Sequence, residues 1–170
     1  APYFGGINQY GAPCVGGILD SFAAGTGATT ARDGVDTGAN MMNPTSRISD
    51  TEVTELGMPF MYLARRNVPN SGGFGKFRGG MGGETILMVY GTNKLILGTA
   101  GLGKKTPGGH GIFGGYPPDL QQAKYIFNSN ISEWFKESKS PTTFEELDLL
   151  KGNRVFPSSS FYAIPVKQYD

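Results

Sequence analysis

The chain has 170 residues, 38% of them hydrophobic, and a formal net charge of +1. This length suits one domain with an appended tail, and the charge gives no reason to expect nucleic acid or an acidic membrane surface as partner. No apolar stretch of the sequence is long enough to span a bilayer. The single cysteine, Cys14, excludes an internal disulfide and predicts a cytoplasmic location.

Glycine is the compositional outlier, with 27 of the 170 residues, where an average protein has roughly 7%. The glycines follow no collagen-like repeat and lie among aromatic and aliphatic residues. This pattern predicts tight turns and close backbone packing in a folded protein, and argues against disorder.

The first half of the chain predicts a short helix, a loop and a strand. Residues 12–24 are small and apolar, which indicates a short, closely packed helix. A loop rich in Gly, Thr and Asp follows at residues 25–38. Asn43 precedes a proline and predicts a turn, while residues 58–66 have the aromatic and aliphatic content of a strand.

The second half combines glycine clusters with strands and one helix. Residues 71–83 include seven glycines. Strands are predicted at 84–90 and 94–99, and the glycine-containing turn between them predicts a hairpin. A second glycine cluster at 101–115 leads to the best helix candidate, residues 119–137, although the polar stretch 128–130 can break it. A short helix starting near 141–146 and a last strand at 161–166 complete an α+β fold that is rich in strands.

Two glycine clusters invite comparison with nucleotide-binding loops. Residues 101–106 (GLGKKT) lack the four residues that a phosphate-binding loop places between its glycines. Residues 71–83 do not follow the strand of a βαβ unit. A turn-rich element of a β-domain explains residues 71–83 better.

Metal-binding and nucleophilic side chains are scarce. One cysteine and one histidine cannot form a zinc site, and only a magnesium site from Asp33, Asp36 and Asp50 stays open. Cys14 lies in an apolar segment and behaves as a small hydrophobe. His110 lies between glycines, as a plain loop residue or as a hydrogen-bond donor at a site.

Residues 29–36 form a loop that combines hydroxyl, arginine and aspartate side chains, and it is the segment best suited to chemistry. Arg32 is able to bind a carboxylate or a phosphate through its guanidinium fork, with nearby hydroxyls adding hydrogen bonds. The alternative is that Arg32 and Asp33 close the loop structurally, and the sequence leaves both interpretations open.

Residues 70–83 (NSGGFGKFRGGMGG) resemble a hallmark of the hydantoinase B/oxoprolinase family. Residues 25–36 are similar to that family's glycine-rich stretch ending in R-D-G, and residues 50–55 to its N-T-P-V-E region without the proline. The resemblance covers about residues 5–116. It implies that residues 1–116 are the C-terminal region of a hydantoinase-B-like domain, part of a larger fold, and that residues 117–170 are a helical and extended tail.

The absence of histidine from residues 38–43, with the motifs at 6–11 and 110–116, resembles the ketone carboxylase branch, typified by large (alpha-type) subunits of acetone and acetophenone carboxylases. The resemblance implies a ligase that converts ketone, bicarbonate and ATP to a β-keto acid through an enol phosphate and a carboxylated phosphate. It implies a hydantoinase-A-type partner that handles ATP and a further hydantoinase-B-type chain. ATP and a divalent metal, Mg or Mn, belong to the whole complex, and none is bound by this chain alone.

The family's metal-binding histidines and carboxylates are expected upstream of Ala1, so the chain alone is expected to be inactive. The alternatives are an ATP-dependent hydrolase of hydantoins, lactams or 5-oxoproline, and a non-catalytic assembly subunit. No catalytic residue or metal ligand is assigned. The residues expected near the substrate are Arg32, Asp33, Arg78 and His110.

Overall fold

The computed structural model describes residues 2–18, 24–37, 48–99, 106–155 and 162–166. Eight strands, two α-helices and one 3-10 helix lie within these ranges: β1 (Pro2–Ile7), β2 (Pro13–Gly17), α1 (Thr51–Gly57), β3 (Phe60–Asn67), β4 (Gly83–Val89), β5 (Leu95–Thr99), β6 (Tyr125–Phe127), α2 (Ile131–Lys136), the 3-10 helix (Glu146–Leu149), β7 (Asn153–Val155) and β8 (Tyr162–Val166). The predicted α+β class is confirmed. No helix in the described ranges is long and apolar enough to cross a membrane.

The largest sheet has four antiparallel strands in the order β2-β1-β5-β8. Two further antiparallel ribbons, β3-β4 and β6-β7, lie within the described ranges. Phe4 on β1 lies opposite Gly16 on β2 and Leu97 on β5. The inner face of the sheet is therefore centred on this phenylalanine.

The core lies between the inner face of the four-stranded sheet and β3. The rings of Phe4 and Phe60 meet edge to face, with centroids 4.9 Å apart. A Cβ at Gly16 would lie 3.1 Å from the Phe4 ring, so a glycine leaves room for it. The buried apolar side chains of this cluster are Phe4, Ile18, Phe60, Leu95 and Leu97.

The helix predicted at residues 12–24 is wrong, because residues 13–17 form strand β2. A tight turn joins it to β1, in which Asn8 Oδ1 accepts hydrogen bonds from the backbone N–H groups of Tyr10 and Ala12. Gly11 closes the turn with a φ of 78°. Two adjacent glycines, Gly16 and Gly17, weaken a helix, and they leave the backbone free to pair with β1. Residues 19–23 lie outside the described ranges.

The predicted strands at 58–66, 84–90, 94–99 and 161–166 are confirmed as β3, β4, β5 and β8. The predicted hairpin is wrong, because β4 pairs with β3 whereas β5 pairs with β1 and β8. The side chain of Thr92, which is buried, donates a 2.6 Å hydrogen bond to the Ile7 carbonyl. Gly91 turns the chain with a φ of 69°. Gly91 and Thr92 therefore lie in the connection between the β3-β4 ribbon and the four-stranded sheet.

The helix predicted at 119–137 is wrong over most of its length. Only Ile131–Lys136 is helical, and Tyr125–Phe127 pairs instead with Asn153–Val155. Asn128 has a φ of 52°, which breaks any helix at this point. The short helix expected after residue 141 is the 3-10 helix Glu146–Leu149. The turn predicted at Asn43 lies outside the described ranges, and so do residues 101–105 of the second glycine cluster.

A buried lysine holds the C-terminal segment 124–154 together. The Lys124 side chain is 2% exposed, and its Nζ donates to Asp148 Oδ1 at 2.6 Å and to the Phe144 carbonyl at 3.3 Å. The same ammonium lies 4.1 Å from the centroid of the Phe144 ring. Arg154 adds hydrogen bonds to the carbonyls of Asp148 and Leu150. These four side chains, Lys124, Phe144, Asp148 and Arg154, are called the tail clamp below.

Candidate functional site

Two glycine-rich segments, residues 24–37 and 71–83, lie against each other and form what is called the glycine platform below. Their contacts are backbone hydrogen bonds. The N–H of Gly34 donates to the Arg78 carbonyl at 2.9 Å, that of Gly80 to the Thr26 carbonyl at 2.9 Å, and that of Thr37 to the Met81 carbonyl at 2.8 Å. The two segments, about 45 residues apart along the chain, thus behave as one structural unit.

The glycines of the platform are required by this close approach. A Cβ on Gly25 would overlap the carbonyl oxygen of Gly80, and a Cβ on Gly80 would overlap that of Val35. A Cβ on Gly34 would overlap the carbonyl oxygen of Thr26. The spacing of glycines in both motifs therefore reflects places where two backbones cross without room for a side chain.

A third segment joins the platform just before the C-terminal region. The N–H of Tyr116 donates to the Phe74 carbonyl at 2.7 Å, and that of Asp119 to the Ser71 carbonyl at 3.0 Å. The Ser71 hydroxyl also accepts a hydrogen bond from Gly82 N–H and donates one to the Val68 carbonyl. The loop that carries His110 is anchored to the platform at this point.

Arg78 lies between two aspartates at the centre of the platform. Its Nε is 3.8 Å from Asp33 Oδ2, and its Nη1 is 3.4 Å from Asp36 Oδ1. Both carboxylates also accept backbone hydrogen bonds, Asp33 from Arg78 N–H at 2.9 Å and Asp36 from Met81 N–H at 2.7 Å. One guanidinium and two N–H groups therefore fix the first segment on the second.

The hydrogen bond from Met81 N–H lowers the pKa of Asp36 below its usual range, and Arg78 lowers that pKa further. All three charged side chains stay partly exposed to solvent. With two carboxylates and one guanidinium, the cluster carries a net charge of −1. The Arg78 fork is engaged within the protein, so an incoming anion has to compete with two carboxylates for it.

Arg32 lies on a tight turn at the edge of the platform. The Thr29 hydroxyl accepts hydrogen bonds from the N–H groups of Ala31 and Arg32, and Thr29 N–H donates to the Arg32 carbonyl at 2.9 Å. The side chain is exposed, and its guanidinium has no hydrogen-bond or ion-pair partner within the described ranges. The backbone of Arg32 and the side chain of Asp33 close the loop, while the exposed guanidinium of Arg32 takes no part in these contacts.

The four residues expected near the substrate are thus brought together only in part. Asp33 and Arg78 are in contact, whereas no hydrogen bond or ion pair within the described ranges joins Arg32 or His110 to them. His110 lies exposed on its glycine loop. The sequence predicts Asp36, the third member of the cluster, only as a possible magnesium ligand, although its place two residues after the R-D-G motif indicates a part in this loop.

The third aspartate of the open magnesium site, Asp50, has another role. Its carboxylate caps helix α1 by accepting hydrogen bonds from the N–H groups of Glu52 and Val53, at 2.9 and 3.2 Å. In the part of the chain that the structure describes, no group of three or more His, Cys, Asp or Glu side chains is placed to hold a metal ion.

The platform segments are the same two motifs that carry the sequence resemblance, and comparison with known proteins settles the family. The family model described as Hydantoinase B/oxoprolinase matches residues 2–156. The chain belongs to the hydantoinase B/oxoprolinase family.

Two curated proteins show where in the family the similarity lies. The chain is 38% identical over 129 residues to the acetone carboxylase alpha subunit of Xanthobacter autotrophicus, an alignment that covers 76% of this chain and 16% of that subunit. It is 27% identical over 146 residues to the acetophenone carboxylase delta subunit of Aromatoleum aromaticum, which covers 85% of this chain and 21% of that subunit.

A solved nucleotide-free structure of acetone carboxylase, from work on the mechanism of ATP-dependent acetone carboxylation, has a similar fold. The TM-score is 0.74 at 26% identity, and the match covers 96% of this chain and 24% of the solved chain. The chain therefore spans about a sixth to a quarter of the length of the relatives that it matches, and corresponds to one part of a larger fold.

Proposed function

We propose that this chain is part of an ATP-dependent ketone carboxylase, which joins a ketone and bicarbonate to give a β-keto acid. The observation that carries the proposal is the similarity to acetone carboxylase in both sequence and fold, 38% identity to its alpha subunit and a TM-score of 0.74 to its solved structure. The similarity to an acetophenone carboxylase subunit supports a ketone substrate of the same chemical class.

In this proposal the enzyme is a cytoplasmic complex of several chains. ATP is bound by a hydantoinase-A-type partner, a divalent Mg or Mn ion acts in the assembled complex, and a further hydantoinase-B-type chain contributes the rest of the fold. This chain alone is then inactive. The proposal divides the chain into a hydantoinase-B-like region at 1–116 and a tail at 117–170.

The chain's own contribution is a rigid platform that presents a positive charge. Arg32 is the platform arginine whose guanidinium has no partner in the described ranges, and it stands on a turn fixed by Thr29. A free guanidinium fork suits bicarbonate or a phosphate group. We assign Arg32 to anion binding, and Asp33 and Arg78 to positioning the loop that carries it. His110 remains a substrate-proximal prediction, as a hydrogen-bond donor from the adjoining loop.

The test is a carboxylation assay on the chain isolated with its native partners. Incubation with a ketone, isotope-labelled bicarbonate and ATP is expected to give a labelled β-keto acid, trapped by reduction, only when all three are present. The absence of any bicarbonate-dependent product would contradict the proposal.

Two other outcomes point to the alternatives. Ring opening of a hydantoin or of 5-oxoproline with ATP and without bicarbonate assigns the chain to a hydrolase of the same family. Unchanged carboxylation in Arg32→Ala and in Arg78→Ala, with the complex still intact, makes the chain a non-catalytic assembly subunit.

A further inference from the structure

A second exposed cation, Lys76, lies on the glycine platform. It belongs to the second platform segment, whereas Arg32 belongs to the first. The Lys76 side chain has no hydrogen-bond or ion-pair partner within the described ranges. Its ammonium lies 5.4 Å from the centroid of the half-buried Phe77 ring, a cation–π contact that holds the charge against the platform.

One hydrogen bond brings the segments that carry Arg32 and Lys76 together. Asp33 Oδ1 accepts it from Arg78 N–H at 2.9 Å, and this N–H belongs to the peptide bond between Phe77 and Arg78. Arg32 directly precedes Asp33, and Lys76 directly precedes Phe77. Standard bond lengths along this path place the Cα atoms of Arg32 and Lys76 no more than roughly 17 Å apart. Both side chains are long, so their charged ends are able to reach one anion that lies between them.

The charges of the platform show why a second cation matters. Arg78, Asp33 and Asp36 together carry a net charge of −1. The guanidinium of Arg32 only cancels this charge, so Arg32 alone gives an incoming anion no net attraction. Lys76 makes the group one of three cations and two carboxylates, with a net charge of +1. The platform therefore attracts an anion only when Lys76 is included.

Two cations of different kinds favour a phosphate group over bicarbonate. A guanidinium fork binds carboxylates and phosphates alike, whereas a lysine ammonium acts as a point charge and is a common ligand of phosphate. A phosphate monoester carries a charge of roughly −1.5 to −2 at neutral pH, and bicarbonate carries a single negative charge. A phosphate group therefore gains from both cations at once, while Arg32 alone neutralises bicarbonate.

We propose that Lys76 and Arg32 together bind a phosphate group, that of a phosphorylated compound formed with ATP. Lys76 is then a binding residue outside the four expected near the substrate. The inference rests on the proposed function for the compound that bears the phosphate, and on the contacts of the platform for the site.

Lysine acetylation in the native assembly tests this site one residue at a time. The assembly is treated briefly with an amine-acetylating reagent, and the modified lysines are quantified by peptide mass spectrometry. The reaction is run in sodium chloride, in inorganic phosphate and in bicarbonate at equal ionic strength, so that charge screening is the same in each. Lys94 and Lys136, which are exposed on other parts of the fold, are the internal controls.

Phosphate at about 10 mM is expected to slow the acetylation of Lys76 at least about threefold relative to chloride, because the rate falls with the fraction of free sites. Bicarbonate should protect Lys76 less, and the two control lysines should react equally in all three salts. In Arg32→Ala the protection of Lys76 by phosphate should be lost, because the fork no longer binds the anion.

Four results would overturn the proposal. Two of them are equal rates for Lys76 in phosphate and chloride, and protection that persists in Arg32→Ala. The third is equal protection by bicarbonate, which would remove the preference for phosphate. The fourth is a Lys76 that reacts in urea but in none of the salts, because it then lies against another part of the assembly and is closed to a ligand.

The carboxylation assay on the same assembly keeps this inference apart from the proposed function. Protection of Lys76 by phosphate without carboxylation would contradict the proposed function and leave the phosphate site standing. Carboxylation without protection would contradict the phosphate site and leave the proposed function standing.

Discussion

The glycine platform and the tail clamp hold distant residues together by opposite means. In the platform, backbones cross where no Cβ fits, and the carboxylates of Asp33 and Asp36 bind mainly to main-chain N–H groups and to one arginine. In the tail clamp, one long side chain, Lys124, fills a buried position and satisfies a carboxylate, a carbonyl and an aromatic ring. Substitutions that add side-chain atoms are therefore expected to destabilise the platform, and substitutions that remove side-chain groups are expected to destabilise the tail clamp.

Adding one methyl group to the platform is expected to have the largest effect. In Gly80→Ala the new Cβ overlaps the Val35 carbonyl oxygen, and the two segments have to move apart. Overpacking of this kind costs about 3 kcal/mol. We expect the midpoint of urea unfolding, followed by circular dichroism, to fall sharply, or the chain to remain unfolded.

Gly27→Ala is the matched control for this substitution. Gly27 lies on the same segment, and a Cβ there meets nothing within 4 Å. Its effect is expected to stay within about 0.5 kcal/mol. Similar losses for the two variants would show that the glycines serve backbone flexibility and that the crossing is not the cause.

Removing the cation from the tail clamp is expected to have the next largest effect. Lys124→Met keeps the length of the side chain, removes the donor to the Phe144 carbonyl and leaves Asp148 Oδ1 with only the 3.7 Å ion pair to Arg154. Loss of hydrogen bonds to a charged group costs about 2 kcal/mol. Lys139→Met is the control, because Lys139 pairs with Glu137 on the surface, where both side chains are exposed. Equal unfolding midpoints for the two variants would contradict the role given to Lys124.

This contrast also explains which features the sequence was able to predict. A position that only glycine tolerates leaves a visible pattern in the sequence, and the family was predicted from the two glycine-rich motifs of the platform. The strands β3, β4, β5 and β8 were predicted from another local pattern, their aromatic and aliphatic content. The Asp33–Arg78 contact brings together two of the four predicted site residues.

Pairing over long distances leaves no such pattern. Residues 84–90 and 94–99 are adjacent strands in the chain, yet the buried hydroxyl of Thr92 and the turn at Gly91 send them to different sheets. The spacing of Ala123, Ile126 and Phe127 fits a helix, but pairing with residues 153–155 makes Tyr125–Phe127 a strand. Nothing local distinguishes Lys124 from a solvent-exposed lysine, because its partners come some 20 residues later.

A smaller effect is expected from the charge of Asp36. Its pKa in the folded protein is lowered below the ordinary value of 3.8, first by Met81 N–H and then by Arg78. The carboxylate therefore stabilises the fold above that ordinary value, and this contribution is lost as the pH falls through the folded pKa. Asp36→Asn is expected to lower the unfolding midpoint at pH 7 and to approach the unsubstituted chain as the pH falls through the folded pKa of Asp36. A constant difference between the two chains at all pH values would contradict this account.

The smallest effect on stability, and the one that separates scaffold from site, is expected for Arg32. Arg32→Ala removes a guanidinium without a partner in the described ranges, so unfolding should shift by no more than about 0.5 kcal/mol. Arg78→Ala releases Asp33 and Asp36, and is expected to lower the midpoint further.

In the assembled complex, loss of a charge-assisted contact to bicarbonate or phosphate should reduce kcat/KM about tenfold or more for Arg32→Ala. Arg32→Lys, which keeps the charge without the fork, should recover only part of that loss. Unchanged turnover in Arg32→Ala with the complex intact would remove the anion-binding role from this chain and leave the platform as a scaffold.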